Sequence, residues 1–559
     1  MNPIINQPKS FWGNAQDSIQ EWTDKLAKQS VIRRLWEKDA SLWTKNEEGQ
    51  KEVKARLGWL VLPERMRELT ADMVSFAKEI KGEGFTHVLL LGMGGSSLAP
   101  EMFQSVFGNT SGSPELVVLD STDPGRVKDI EGKVNLEKTL FIVSSKSGGT
   151  VELLSFFKYF YEKIKSTQAD RAGAQFVAIT DPGSPLADLA KSHHFRKIFL
   201  APPDVGGRFS ALTFFGLLPA ALIGVDVKKV LESAQRIKDF CSADIPAGQH
   251  AAATLGIAMA VLAESGRDKL TILTTPGYES FGDWAEQLVA ESTGKEDLGV
   301  VPIVREGIGS LESYGNDRFF VALLSNQEPE KNAALEKFLS QAEKEGHPVL
   351  TFRIESAAGL GGELFRWEMA TAIASALLKI NAFDQPDVQS AKTSTKAILK
   401  TVEAGGSIAV KNSNMELDAF WENAEEGDYV AILAFLPDRE PLRNELVKLQ
   451  TELRNKTRLA VTLGFGPRYL HSTGQLHKGG PGKAVFILLT AETTEDLPIP
   501  GEKYGFSQLE LAQAMGDFQA LESKGRWVYH ARLKEVSEAE LQRVSAEILK
   551  SSQLIKSEA

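Results

Sequence analysis

Between residues 85 and 200 one pattern recurs five times: a short apolar run, a turn, then an amphipathic segment. The runs are "THVLLLG", "ELVVLDS", "TLFIVSS", "QFVAITD" and "KIFLAPP". Continuous apolar runs of this length suit strands buried on both faces, and helical connections between them require parallel pairing. The pattern therefore commits this stretch to an α/β fold with a doubly wound parallel sheet. A second set begins near residue 270, with "LTILTTP", "FFVALLS" and "PVLTFRI", and a third near residue 428, with "YVAILAFL", "LAVTLGFG", "AVFILLTA" and "RWVYHARL". Ahead of the first set, from Ser18 to about Lys78, Trp22, Leu26, Leu35, Trp36, Leu42 and Trp43 recur at helical spacing and read as packing stripes.

A chain of 559 residues exceeds what one core supports. The expected organisation is a helical N-terminal leader over 1–80, a first α/β unit over 81–248, a second over 249–401 and a third over 402–559. The linkers expected are 244–250, "DIPAGQH", and 402–412, "VEAGGSIAVKN".

Charge narrows the partners. A net charge of −11 leaves no broad cationic surface for a nucleic-acid backbone, whereas a small anionic substrate needs only a few local cations. Cys241 is the single cysteine, so no intrachain disulfide forms, and no Cys/His cluster has zinc-site spacing. The polar start "MNPIINQPKSFWGNAQDS" lacks a signal-peptide core, and the most apolar stretch, "ALTFFGLLPAALIGV", is short for a membrane span and carries Pro219. The expectation is a cytoplasmic protein without membrane association.

Ligands of open parallel sheets bind beyond the carboxyl ends of the strands. The first strand ends in "LGMGGSSLAPEMF", with Gly92, Gly94 and Gly95 allowing close backbone approach and Ser96 and Ser97 at a helix start. A dinucleotide site is the competing reading, because Asp120 closes the next strand. The fingerprint G-x-G-x-x-G, however, needs glycine where Ser97 stands. The third strand ends in "SSKSGGTVE". There the hydroxyls of Ser145, Ser147 and Thr150, the charge of Lys146 and the free amides of a helix start can wrap a phosphate. The alternative is that these small residues only cap the helix and tighten the turn. Charge-assisted hydrogen bonds contribute roughly 1.5–3 kcal/mol each, so four or five donors can hold a sugar phosphate on an acidic protein.

After the fifth strand, "DVGGRFSALTFFG" places Arg208 at a helix start behind Gly206 and Gly207, suited to stabilising charge that develops on a substrate oxygen. In "FGDWAEQLVAESTGKEDLGVVPI", Gln287 and Glu291 stand four apart on one helical face. A carboxylate beside phosphate cradles suits aldose–ketose isomerisation, in which one base carries a proton between neighbouring carbons through an enediolate.

Together these segments resemble the glucose-6-phosphate isomerase family, whose sugar-isomerase (SIS) domains carry them in this order. "GMGGSSLAP", "SSKSGGTVE", "VGGRFS", "QLVAESTGK" and "FDQPDVQSAK" match its signature segments and span residues 92–392. The resemblance is strongest to the form fused behind a transaldolase, which shares the leader "RLWEKDASLW" and the late segment "STGQLHKGGP"; no transaldolase barrel fits in this chain. It implies SIS-type, flavodoxin-like sheets, a sugar-phosphate substrate, no metal or cofactor, and a setting compatible with a homodimer and a functional link to a transaldolase. Carried over residue by residue, Gly95, Ser96, Ser145, Lys146, Ser147 and Thr150 match phosphate contacts. Gly207 and Arg208 match the pair at the reacting oxygens, Gln385 matches a further substrate contact, Glu291 matches the proton-transfer base and Lys392 matches the ring-opening lysine.

The chain departs from the family in one place. The family's ring-opening histidine lies between base and lysine, where this chain has only His347, in the turn "EKEGHPVL" with no family motif around it. "YLHSTGQLHKGG", beyond Lys392, offers His477 as first choice and His471 as second, expected in a loop at the carboxyl end of the strand "RLAVTLGFG". The leading expectation is interconversion of glucose 6-phosphate and fructose 6-phosphate. A dual glucose/mannose phosphate isomerase is a same-fold rival. A non-catalytic sugar-phosphate sensor would need the cradles but has no use for Glu291, Arg208 and Lys392 together.

Overall fold

The computed structural model of the chain describes residues 7–552, except residues 412, 414, 415, 494 and 495. The outer ends of the expected leader and third unit, residues 1–6 and 553–559, and residue 412 of the second expected linker lie outside the described residues.

Every strand read from the sequence forms. The leader opens with a short strand, β1 (Lys9–Phe11), and closes with helix α1 (Leu62–Gly82). Leu26, Leu35, Leu42 and Trp43 are buried, and Trp22 and Trp36 pack against the same core. β1, ahead of the stretch read as helical from Ser18, pairs antiparallel with a strand of the second unit, Phe11 facing Val349.

The first unit contains β2 (His87–Gly92), α2 (Leu98–Phe107), β3 (Glu115–Leu119), β4 (Thr139–Ser144), α3 (Val151–Gln168), β5 (Phe176–Thr180) and β6 (Lys197–Leu200). The second contains β7 (Lys269–Thr274), α4 (Glu279–Thr293), β8 (Val301–Ile303), β9 (Arg318–Ser325), β10 (Val349–Ile354) and α5 (Leu360–Leu378). Then come α6 (Val388–Glu403) and the third unit, with β11 (Tyr429–Phe435), β12 (Ala460–Phe465), α7 (Gly474–Gly479), β13 (Ala484–Ala491), α8 (Phe506–Ser523) and β14 (Trp527–Leu533).

The three sheets run in the orders β3-β2-β4-β5-β6, β1-β10-β9-β7-β8 and β12-β11-β13-β14. Apart from β1, all neighbours are parallel. In each unit the first strand sits between the second and the third, with the fourth beyond the third. The three sheets are thus three windings of one flavodoxin-like topology, and each has a switch point between its first and third strands.

Packing joins the units at their helices. α2 lies against α4, and α6, read from the sequence as the end of the second unit, packs along α8 of the third. The stretch expected as a first linker is built into the core: Ala247 and His250 are buried, with His250 Nε2 2.9 Å from the Cys241 carbonyl. None of the described helices is long and apolar enough to cross a membrane.

Candidate active site

At the switch point of the first unit the chain turns sharply off β2 and β4. A Cβ on Gly95 would stand 2.2 Å from the Gly207 carbonyl oxygen, so only glycine lets the loop after β2 meet the loop carrying Arg208. Gly148 has φ +69°, and a Cβ there would meet the Leu186 amide at 2.6 Å. These contacts hold two hydroxyl-rich loops around one cavity of about 420 Å3.

Ser145, Lys146, Ser147 and Thr150 line that cavity with Gly95 and Ser96. Thr150 is the N-cap residue of α3, yet its side chain makes no capping hydrogen bond. Its hydroxyl lies 3.2 Å from the Ser145 hydroxyl instead, and Ser145 Oγ accepts from the Gly148 amide at 3.1 Å. The Thr150 side chain therefore leaves the first amides of the helix uncapped. Lys146 is less free than its charge suggests, because its ammonium is ion-paired with Asp181 and also donates to the Pro203 carbonyl at 3.2 Å. Burial lowers the Lys146 pKa and raises that of Asp181, against the mutual attraction of the pair.

The second unit supplies a carboxylate to the opposite wall. Gln287 and Glu291 project from the last turns of α4, where Gln287 Nε2 is 3.4 Å from Glu291 Oε2 and donates to the His471 carbonyl at 2.7 Å. Arg208 Nη1 lies 3.4 Å from Glu291 Oε2, with both side chains under a tenth exposed. The guanidinium is aimed by the Ser292 hydroxyl at 2.9 Å and the Asp384 carbonyl at 2.9 Å. Lys295, one turn beyond Glu291, is buried 3.1 Å from Asp384 Oδ1 and 3.2 Å from the Ser292 carbonyl. Burial first, and then the nearby Arg208 charge, push its pKa down to about 7. Arg208 and Lys295 thus clamp the segment ahead of Gln385 and Lys392, both of which reach the cavity.

The third unit closes the site. His471, in the turn after β12, lines the cavity with Nε2 2.9 Å from Glu152 Oε1, and Gln513 on α8 donates to the same oxygen at 2.7 Å. Burial would raise the Glu152 pKa, but the His471 charge and hydrogen bond outweigh it and hold the carboxyl below its ordinary value.

The structure puts the first choice of histidine away from the cavity. His477 sits not in an open loop but on the buried helix α7, 1% exposed, with Nδ1 3.0 Å from the Tyr429 hydroxyl and an aromatic contact to Phe486. Burial, then the Lys478 and Arg526 charges, hold its pKa well below the ordinary value. His347 is buried against Phe320. The residues carried over from the family resemblance all line the cavity, as do Gln287 and His471, whereas His477 does not.

Sequence reasoning missed several residues that the fold brings in. Glu152 stands inside "SSKSGGTVE", but nothing local ties it to Gln513 or to a histidine 319 positions away. Arg56 and Glu52 reach the cavity mouth from the leader, Asp181 from the loop after β5.

Comparison with known proteins places the chain in a family. Residues 48–297 match the family model described as phosphoglucose isomerase. A glucose-6-phosphate isomerase of Carboxydothermus hydrogenoformans is 29% identical over 409 residues, covering 63% of this chain and 86% of the relative. One of Thermosynechococcus vestitus is 30% identical over 387 residues, covering 60% of this chain and 72% of the relative. Among solved structures, a hypothetical protein of Thermus thermophilus aligns with TM-score 0.59 at 24% identity, over 70% of this chain and 99% of its own. A Chlamydia trachomatis glucose-6-phosphate isomerase aligns with TM-score 0.54 at 18% identity, over 69% of this chain and 86% of its own. The chain belongs to the phosphoglucose isomerase family.

Proposed function

We propose that this protein interconverts glucose 6-phosphate and fructose 6-phosphate, with Glu291 as the proton-transfer base. The observation that carries the reading is that one cavity joins a hydroxyl cradle for phosphate to a buried carboxylate 3.4 Å from a guanidinium. Ser145, Ser147 and Thr150, with the amides opening α3 and Ser96, hold the phosphate. Ring opening breaks the bond from C1 to the ring oxygen as the C1 carbonyl forms. A proton reaches the ring oxygen while one leaves the C1 hydroxyl, and His471, oriented by Glu152, and Lys392 serve this exchange. Glu291 then takes the C2 proton, leaving an enediolate whose charge Arg208 stabilises, and returns the proton to C1 as the hydroxyl proton on the C2 oxygen passes to the C1 oxygen and the carbonyl moves to C2. Gln287 orients the carboxylate.

Every group in this scheme is found on a single chain, and the same reading is compatible with a homodimer. It also has the enzyme working in the cytoplasm without a cofactor and functionally linked to a transaldolase. A coupled assay with fructose 6-phosphate tests the activity, and its persistence at dilutions that dissociate oligomers tests the single-chain site. Turnover of mannose 6-phosphate at a similar rate would widen the reading to a dual isomerase. Tight binding of fructose 6-phosphate without turnover would replace it by a sensor.

A further inference from the structure

Past Thr150 and His471 the catalytic cavity adjoins a second one, of about 290 Å3, whose far lining the isomerase chemistry does not use. The two share Ser147, Thr150, Val388, Lys392, Leu470 and His471, so an occupant of either touches residues of the other. The apolar lining of this annex is Val151, Val388, Leu399, Leu470 and Tyr504. Its cationic lining lies largely on α6. Lys392, Lys396 and Lys400 follow one another at four-residue intervals on α6, a spacing that stacks them along one helix face.

Neither Lys396 nor Lys400 makes a side-chain hydrogen bond or ion pair with another described residue. The contrast with the neighbouring cation is direct: Lys478 is buried against Asp517 at 2.5 Å. Of the two carboxylates facing the annex, Glu152 is already held by His471 and Gln513, which leaves Glu403 at the rim. Unneutralised lysines along one side of an apolar hollow, on a chain of net charge −11, mark a place where an anion gains both charge pairing and apolar burial.

We propose that the annex binds a small organic anion with an apolar body. Its charged group meets Lys396 and Lys400 at the rim, and its body lies against Val388, Leu399 and Leu470. Through Thr150, Lys392 and His471 the occupant opposes sugar-phosphate binding, a coupling that rests on the isomerase reading given above. By linkage the antagonism is reciprocal.

The test uses the full chain and 1-anilinonaphthalene-8-sulfonate, whose fluorescence reports binding without any turnover. Saturable binding at one site is expected, weakened about tenfold or more in the double variant Lys396→Glu/Lys400→Glu, with KM and kcat for fructose 6-phosphate and the melting temperature unchanged. Unaltered affinity in the double variant would reduce the binding to adsorption on apolar surface and overturn the proposal. So would a parallel loss of kcat/KM, which would assign the lysines to the catalytic cavity. Fructose 6-phosphate should displace the probe. Lysine-dependent binding that fructose 6-phosphate leaves untouched would overturn the coupling, even where the isomerase assay succeeds.

Discussion

The first and third units wind their strands in the same order, yet the crevices at their switch points are chemically opposite. Beyond β2 and β4 the loops are glycine and hydroxyl residues with free amides, open to an anion. Beyond β11 the chain reads "LPDREP", in which Asp438 is ion-paired with Arg443 and Arg439 with Asp129 at 3.2 Å. Beyond β13, Glu492 lies 3.4 Å from Arg532, and Asp496 accepts from the Ser507 amide at 2.8 Å. Topology supplies a crevice in both units; loop chemistry decides which one takes a phosphate. The third unit contributes instead through the turn after β12, and the second through the end of α4. Because a crossover helix runs back along its strands, Glu291 sits at the amino edge of its own sheet and reaches the site only because α4 packs on α2.

This division of labour breaks most visibly at the base. Glu291→Gln should lower kcat by about 10²-fold or more while leaving fructose 6-phosphate binding nearly intact. Near-normal turnover, measured by the coupled assay, would remove the second unit from the chemistry. A smaller loss, roughly 10-fold to 10²-fold, is expected for His471→Ala on cyclic glucose 6-phosphate, because ring opening also proceeds unassisted. Exchange of the C2 proton in an acyclic analogue should survive. Equal loss on both substrates would place His471 at the proton transfer instead.

What could be read in advance follows the same division. Strands buried on both faces announce themselves as apolar runs, which is why "THVLLLG" and "YVAILAFL" are legible. β8 escapes notice because it is a three-residue edge strand with Pro302 at its centre, and β1 because its exposed "KSF" gains meaning only beside β10. The cradle residues lie in short contiguous motifs and can be found locally. His471 and His477 stand six positions apart in one polar stretch, and only the burial of α7 separates them. The Glu152–Gln513 contact spans 361 positions and leaves no local mark.

The cradle itself should respond modestly. Ser145→Ala and Thr150→Ala each remove a hydrogen bond of ~0.5–1.5 kcal/mol made to substrate and transition state alike, so KM should rise by roughly three- to tenfold with kcat preserved. Glu492→Gln, at the matching position of the third unit, should leave KM unchanged. An unchanged KM with a lowered melting temperature in both cradle variants would return those hydroxyls to helix capping.

The smallest effect is expected at His477, and it concerns stability. His477 is held neutral in the folded chain, while the unfolded chain protonates it near the ordinary value of about 6.5. The unfolded state then binds more protons, so this residue's contribution to stability is intact above that value and is lost as pH falls below it, by at most about 1.4 kcal/mol per pH unit. His250, pushed down to about 4, has the same sign, because burial opposes its charge and its Nδ1 accepts from the Ala252 and Ala253 amides at 3.3 and 3.2 Å. His347 and His530 are lowered by burial as well. His477→Gln, which keeps a partner for the Tyr429 hydroxyl, should therefore reduce but not abolish the loss of melting temperature between pH 7 and pH 5, with kcat unchanged at pH 7. An undiminished acid slope would mean that His477 takes up its proton inside the fold. A fall in kcat would return it to the catalytic cavity and erase the distinction drawn between the two histidines.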